Sequence, residues 1–357
     1  MRPVVLVVPG RLTDRTGGYL YDRRSVDGLR QRGWMVDVIE LDASFPYPTP
    51  AALEHASGAL AGVAGGTIAI VDSLALGAMP DLITHEASRL RIVALVHLPL
   101  AAASDLDRDT AARFDEGERR ALRAAALVIV TGKATLALLA KHELMPGRIV
   151  VAEPGTDRAP LAQSVVASGV GRTGPLELLT VATLNPGKGH ESLLAALSAV
   201  RHREWRLTCA GSLTRYPETT DRVRAAIARF GLADRVTLVG ELDGPALEAC
   251  YDGSDVFVLA TRQETYGMAV AEAVAHGLPV VATTTGAIPE LLADGAGLLV
   301  PVGNTPALVD ALSRVLGDAG LRARLADGAR RMRDRLPTWE QTSGRIADAL
   351  DSLVAHG

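Results

Sequence analysis

The stretch Asp255-Val-Phe-Val-Leu-Ala-Thr-Arg-Gln-Glu264-Thr-Tyr-Gly267-Met-Ala-Val-Ala-Glu272-Ala-Val-Ala-His276-Gly-Leu-Pro279-Val-Val-Ala-Thr283 decides the fold. Residues 255–260 are a short apolar run of the kind buried in a parallel sheet, 261–266 are a polar turn, and 267–275 are helix formers apart from valine. His276-Gly277 stops that helix, Pro279 follows, and 280–282 begin a further apolar strand. The unit is strand, loop, helix, strand. It places Glu264 at the carboxyl end of a strand, where open α/β sheets bind ligands. Glu272, eight residues later, sits among Met268, Ala269, Val270, Ala271, Ala273, Val274 and Ala275 with no polar face to carry it to water. A buried carboxylate without a partner costs several kcal/mol, so either a ligand or an arginine from a neighbouring element must meet it.

The same alternation continues in both directions. Apolar runs at 4–8, 35–39, 67–71, 92–96 and 127–130, separated by helical stretches such as 23–32 and 109–126, predict a doubly wound parallel sheet with a last strand at 148–152. Residues 159–174 are rich in Ala, Ser, Gly and Val, lack a period and read as a linker. Strands at 176–181, 206–210, 236–239, 255–260 and 279–283, with helices near 191–201, 218–230, 245–251 and 268–276, predict a second sheet. The tail, 307–356, reads as helical throughout, broken at 337–339. The expected fold is α/β, with two Rossmann-like domains at 1–160 and 175–335 facing across a cleft, the default ligand site.

Composition narrows the function. A chain of 357 residues that is 48% hydrophobic and 22% charged is ordinary for a soluble globular protein. Its net charge of -4 argues against nucleic-acid binding. No apolar run approaches the ~20 residues of a membrane span, and Met-Arg-Pro leads straight into the first strand rather than a signal peptide. The expected location is cytoplasmic, free or peripheral at a membrane. Cys209 and Cys250 lack metal spacing and read as reduced core residues. Only three of the 37 basic residues are lysines, Lys133, Lys141 and Lys188. Lysine at 188 is therefore notable, because a compact ammonium on a flexible stem suits a phosphate oxygen.

Four loops fall at strand ends. The first, residues 10–18, closes on Gly17-Gly18 before a helix, where backbone N–H groups come close to an anion or simply make a turn. The second is Ala182-Thr183-Leu-Asn-Pro-Gly-Lys188-Gly-His, and the third is Glu264-Thr-Tyr-Gly267-Met268, each opening a helix. His97, directly after a buried strand, is the fourth, and it reads equally well as structural or functional. Lysine, two helix N-termini and a glycine loop suit a diphosphate. Glu272 would then suit a ribose diol, and Glu264 with His97 sugar hydroxyls.

These motifs resemble the retaining glycosyltransferases of family 4, which have the GT-B fold. The resemblance rests on the Glu264-x7-Glu272 pair, Gly267-Met-Ala269, His276-Gly-Leu-Pro-Val-Val-Ala-Thr283, Gly286-Ala-Ile-Pro-Glu290, Pro186-Gly-Lys188-Gly-His190, Gly17-Gly18 and the His97-Leu-Pro segment. It implies a metal-independent hexosyltransferase that uses a nucleoside-diphosphate sugar, a UDP- or GDP-hexose, and needs no cofactor. Glu272 would bind the ribose, Glu264 the transferred sugar, and Lys188 with the Gly17 and Gly18 amides the diphosphate. His97 would contact the sugar, Gly267, Met268 and Ala269 would offer backbone N–H groups, and the base would lie near Leu242. The helix beginning near Trp339, in the segment 336–357, would cross back to the N-terminal domain. Where the family usually carries a Gly-Arg pair, this chain has Ala182-Thr183. Thr183 donates one hydrogen bond and no charge.

The acceptor, a small molecule or a lipid-linked one with a free hydroxyl, would meet the N-terminal domain, with Tyr21, Arg24 and Ser73 as candidate contacts. The string Asp105-x-Asp107-x-Asp109 imitates a metal-binding carboxylate motif but reads better as helix-start acids. Two further activities use the same fold. A nucleotide-sugar epimerase needs acid and base carboxylates at the sugar, and a pyridoxal phosphorylase needs a Schiff-base lysine, whereas Lys188 is already placed at the phosphates. From another class, a catalytically inactive nucleotide-sugar binder would bind donor without turnover.

Overall fold

In the computed structural model, residues 2–103, 106–166 and 174–355 are described. The chain divides into one unit of Met1–Gly155 with Pro337–Gly357 and a second of Thr156–Leu336. Strands β1 (Arg2–Pro9), β2 (Trp34–Leu41), β3 (Ile68–Asp72), β4 (Arg91–Val96), β5 (Leu127–Val130) and β6 (Ile149–Val151) form the first sheet. It is parallel, in the order β2-β1-β3-β4-β5-β6. The inner strands are apolar almost throughout because helices cover both faces. Strand order turns about β1 and β3, so the loops leaving those strands part there and open a crevice within the unit.

The first helix, Gly17–Gln31, starts six residues before the expected 23–32. The Thr16 hydroxyl accepts the Tyr19 N–H and caps it. Gly17 and Gly18 are therefore its first turn rather than the end of a loop. The last helix, Trp339–Ala355, lies along this one within the same unit, and a Cβ on Gly28 would come within 2.3 Å of the Ser343 Cβ. Ile346, Ala347, Ala349 and Leu350 share a core with Leu6, Val26 and Leu29. Thr342 donates to the Glu153 carbonyl at 2.7 Å, and Arg2 pairs with Asp351.

The second unit repeats the plan with β7 (Leu176–Val181), β8 (Trp205–Ala210), β9 (Val236–Gly240), β10 (Val256–Leu259), β11 (Val280–Thr283) and β12 (Gly297–Val300), in the order β12-β11-β10-β7-β8-β9. Its strand order turns between β7 and β10. The loops after these two strands are thereby neighbours, which sets where Lys188 and Glu264 lie. β12 was not expected, since Gly-Leu-Leu-Val is too short to show a period beside its glycines. It is an edge strand paired with β11 alone.

The tail also breaks at Asp318, whose side chain caps the helix Ala319–Arg333 by accepting the Leu321 N–H at 2.8 Å. Trp339 opens the final helix instead of belonging to the break. The expected linker begins as packed chain. Ala162 is buried, its N–H donates to the His276 carbonyl at 2.9 Å, Arg333 holds the Ala159 carbonyl at 2.6 Å, and Gln163–Val166 is helical. The remainder of that segment, 167–173, lies outside the described residues, as does Asp105. Among the described residues no helix is long and apolar enough to cross a membrane.

Candidate functional site

In the second unit the Lys188 ammonium donates to Glu264 Oε2 at 2.6 Å, and both side chains keep part of their surface open. Backbone contacts hold the two loops together. The Arg262 N–H donates to the Gly187 carbonyl at 2.7 Å, and the Thr261 hydroxyl reaches the same oxygen at 3.1 Å. Close approach is possible because residue 189 is glycine. With φ at +68°, a Cβ there would sit 2.0 Å from the Ala260 carbonyl oxygen.

Two helices start at this place, His190–Ala199 and Met268–Ala275, and neither N-terminus has a side-chain cap. The second also lacks an acid in its first turn. Their N–H groups are free to take an anion beside the ammonium. The first residue of the other helix, His190, is buried with both ring nitrogens unpartnered among the described residues. Burial and then Lys188 push its pKa down to about 4, so the ring is neutral. Thr183 lies half-buried just beyond β7, and Leu242 lies between β9 and the helix Gly244–Asp252.

Glu272 is half-buried, and its partner is a tyrosine instead of an arginine. The Tyr251 hydroxyl donates to its Oε2 at 2.8 Å. Burial raises the Glu272 carboxyl to about 7, the tyrosine pulls the other way, and Glu248 and Asp157 add to the rise. A carboxyl whose folded pKa exceeds its unfolded one binds more protons folded than unfolded. Stability therefore falls as pH rises from about 4.5 to about 7, with the full penalty above that. Glu272→Gln removes the penalty. Because the side chain is half-buried, the gain is on the order of 1–2 kcal/mol at pH 8 and close to nil at pH 4.5, read as urea midpoints of the ligand-free protein at both pH values.

In the first unit His97 lies against Gly18, with its ring within 4 Å of where a Cβ would be. Its Nε2 is 3.0 Å from Asp22 Oδ1 and 3.5 Å from Asp72 Oδ2. Burial opposes the charged ring, yet Asp22 and then Asp72 outweigh it and hold the His97 pKa above its ordinary value. Asp72, at the end of β3, is raised to about 7 by burial and by Asp22. Together Asp22, Asp72 and His97 place one ligand atom each within 4.8 Å of one another, a set that could take a divalent cation. As folded, the group is a histidine fixed by hydrogen bonding.

Tyr21 and Ser73 do not line a surface. Tyr21 is 1% exposed and donates to the Ala152 carbonyl at 2.9 Å, and Ser73 is 2% exposed. Arg24 lies over the Trp339 ring, 5.7 Å from its centre. Sequence reasoning missed Asp22 as the partner of His97, although its spacing of four from Gly18 puts both on one helix face. It also missed Tyr251, for which no local pattern speaks. Asp107 is a helix-start acid, accepting the Thr110 N–H at 2.9 Å.

Residues 175–318 match the family model described as glycosyl transferases group 1. The chain is 30% identical over 240 residues to the D-inositol 3-phosphate glycosyltransferase of Salinispora tropica, covering 61% of this chain and 49% of that protein. The chain spans about half the length of the curated relatives it matches. Among solved structures, sucrose-phosphate synthase from Thermosynechococcus elongatus superposes with a TM-score of 0.83 at 21% identity, covering 100% of both chains. HepE of Anabaena in complex with UDP and glucose superposes with a TM-score of 0.78 at 17% identity, covering 98% of this chain and 99% of that one. Residues 175–318 are thus similar to glycosyl transferases group 1, within a chain whose two parallel six-stranded sheets have the GT-B fold.

Proposed function

We propose that this protein is a retaining hexosyltransferase that moves a hexose from a nucleoside-diphosphate sugar to an acceptor hydroxyl. The observation that carries it is the Lys188–Glu264 contact at 2.6 Å beside two uncapped helix N-termini, because that set is built for a diphosphate with a sugar attached. The ammonium and the amides of Gly267, Met268 and Ala269 take the diphosphate. Glu264 takes the sugar hydroxyls, Glu272 the ribose, and Leu242 and Thr183 border the nucleotide. Gly17, Gly18 and His97 supply the first unit's contacts to phosphate and sugar. A UDP- or GDP-hexose fits, as supported by HepE, whose structure holds UDP and glucose.

The chemical step needs charge stabilisation above all. The bond from C1 to the β-phosphate oxygen breaks with its electron pair leaving on phosphate. Lys188 and the helix amides stabilise that charge as it develops. The acceptor oxygen attacks from the same face, and the leaving phosphate takes its proton. No metal enters this scheme. The acceptor, small or lipid-linked, meets the first unit, and because Tyr21 and Ser73 are interior, its contacts come from more exposed groups such as Arg24. The proposed location is the cytoplasm, free or peripheral at a membrane.

Melting in the presence of UDP, GDP, ADP and dTDP tests the donor. A nucleotide at 100 times its Kd stabilises by about 2.7 kcal/mol, which moves the Tm of a unit this size by roughly 5–10 °C. If none of the four moves it, the donor assignment is wrong. Donor isomerisation without acceptor would point to an epimerase, and binding without turnover under any acceptor to an inactive binder.

A further inference from the structure

We propose that Tyr251 is the positioning residue of the nucleotide site: it ties down Oε2 of Glu272 and leaves Oε1 to accept from the ribose 2′ and 3′ hydroxyls. This rests on the donor assignment above.

The geometry is specific. Tyr251 stands in the helix Gly244–Asp252, and Glu272 in the helix Met268–Ala275. The hydroxyl of the first lies 2.8 Å from the carboxylate of the second. The phenol is 1% exposed and cannot swing out to water. Its ring is stacked on His276, with centroids 4.9 Å apart and planes 12° from parallel, and also on Phe257 at 6.0 Å. His276 is itself fixed, with Nε2 3.2 Å from Glu248 and its carbonyl accepting the Ala162 N–H. The tyrosine is rigid, and the carboxylate inherits that rigidity.

The hydroxyl has two acceptors within reach. Besides Glu272 Oε2, the Ala269 carbonyl lies at 3.3 Å. One phenolic proton serves the charged carboxylate while Glu272 is ionised. When Glu272 takes up a proton, the phenol turns that hydrogen to Ala269 and receives one from the carboxyl instead. Both protonation states are thus accommodated without moving the rings, and only the ionised one can accept fully from a diol. The charged groups that bear on the Glu272 carboxyl, Glu248 from the helix of Tyr251 and Asp157 from the chain before it, are acids, while His276, stacked on the tyrosine, faces Glu248, Asp252 and the base Arg333. Burial holds His276 below its ordinary pKa, against the pull of Glu248. The carboxyl sits at about 7, so ribose recognition switches on across neutral pH.

Calorimetric titration with UDP, GDP and ADP, and with the 2′-deoxy form of whichever binds best, from pH 6 to 9, tests this on the wild type and Tyr251→Phe. The wild type is expected to bind the ribonucleotide more tightly as pH rises through about 7, with a flatter profile for the deoxy form. Tyr251→Phe keeps the stacked rings. It is expected to weaken the ribonucleotide roughly 5- to 30-fold at pH 7.5, the range for losing a hydrogen bond to a charged group. The inflection should move to higher pH, with the deoxynucleotide changed less than about twofold. Equal loss for both nucleotides would mean a purely structural tyrosine and would overturn the proposal, as would no loss for either. A wild type that binds none of the nucleotides removes the donor assignment and this proposal together.

Discussion

Lys188→Ala is expected to lower turnover at saturating donor by about 10²–10³-fold, the cost of deleting one preorganised donor aimed at developing charge. The ammonium has two partners over a catalytic cycle. It pairs with Glu264 at 2.6 Å, and in the proposed reaction it serves the β-phosphate. It is the sole lysine of the second unit, and the position where the family usually carries arginine is Thr183. No second cation of the loop shares the load. Lys188→Arg keeps the charge but presents a planar fork where a compact donor is needed, so it recovers part of the rate. Single-turnover measurements separate this from donor binding. An alanine variant with unchanged turnover would dispose of the charge-stabilisation argument, provided its melting curve shows an intact fold.

Gly286→Ala should destabilise the second unit by about 3–5 kcal/mol, combining left-handed strain with a backbone clash. Its φ is +56°, and a Cβ would lie 2.0 Å from the Glu264 carbonyl oxygen and 2.8 Å from that of Thr265. Nothing flexible can give way. The clash is with main chain, and the Glu264 loop is pinned on its other side by Gly187. The same substitution should therefore displace Glu264 and cost activity beyond its cost in stability. Gly303→Ala is the control, with φ at +75° and nothing within 4 Å of its Cβ, and should cost about 1 kcal/mol. Matching urea midpoints for the two variants would show that the close approach carries no energy.

Both sheets were legible because their inner strands are buried on two faces and so read as unbroken apolar runs, as 92–96 and 280–282 do. Edges were less legible: Gly297–Val300 shows neither length nor period. The first helix was placed late because Gly17-Gly18 looks like a breaker, whereas Thr16 supplies the cap that lets the helix begin there. At the site, Lys188 and Glu264 could be singled out because each stands at a strand end, and strand order alone makes their loops neighbours. What holds them was not legible. Tyr251 and Asp22 act through contacts between elements, and a helix sequence does not reveal which neighbour its buried hydroxyl or carboxylate will meet.

The final helix has a consequence for synthesis. Residues 156–336 form a unit that is continuous in sequence, while the other unit needs both 1–155 and 337–357. Ile346 and Leu350 fill a core whose remaining walls, Leu6, Val26 and Leu29, emerge from the ribosome some three hundred residues earlier. Domains usually mature in the order in which they are translated. Here the order is reversed: the sheet of residues 2–151 keeps an open apolar face until residues 339–355 are made, so the unit translated earlier is sealed after the one translated later and depends more on protection from aggregation.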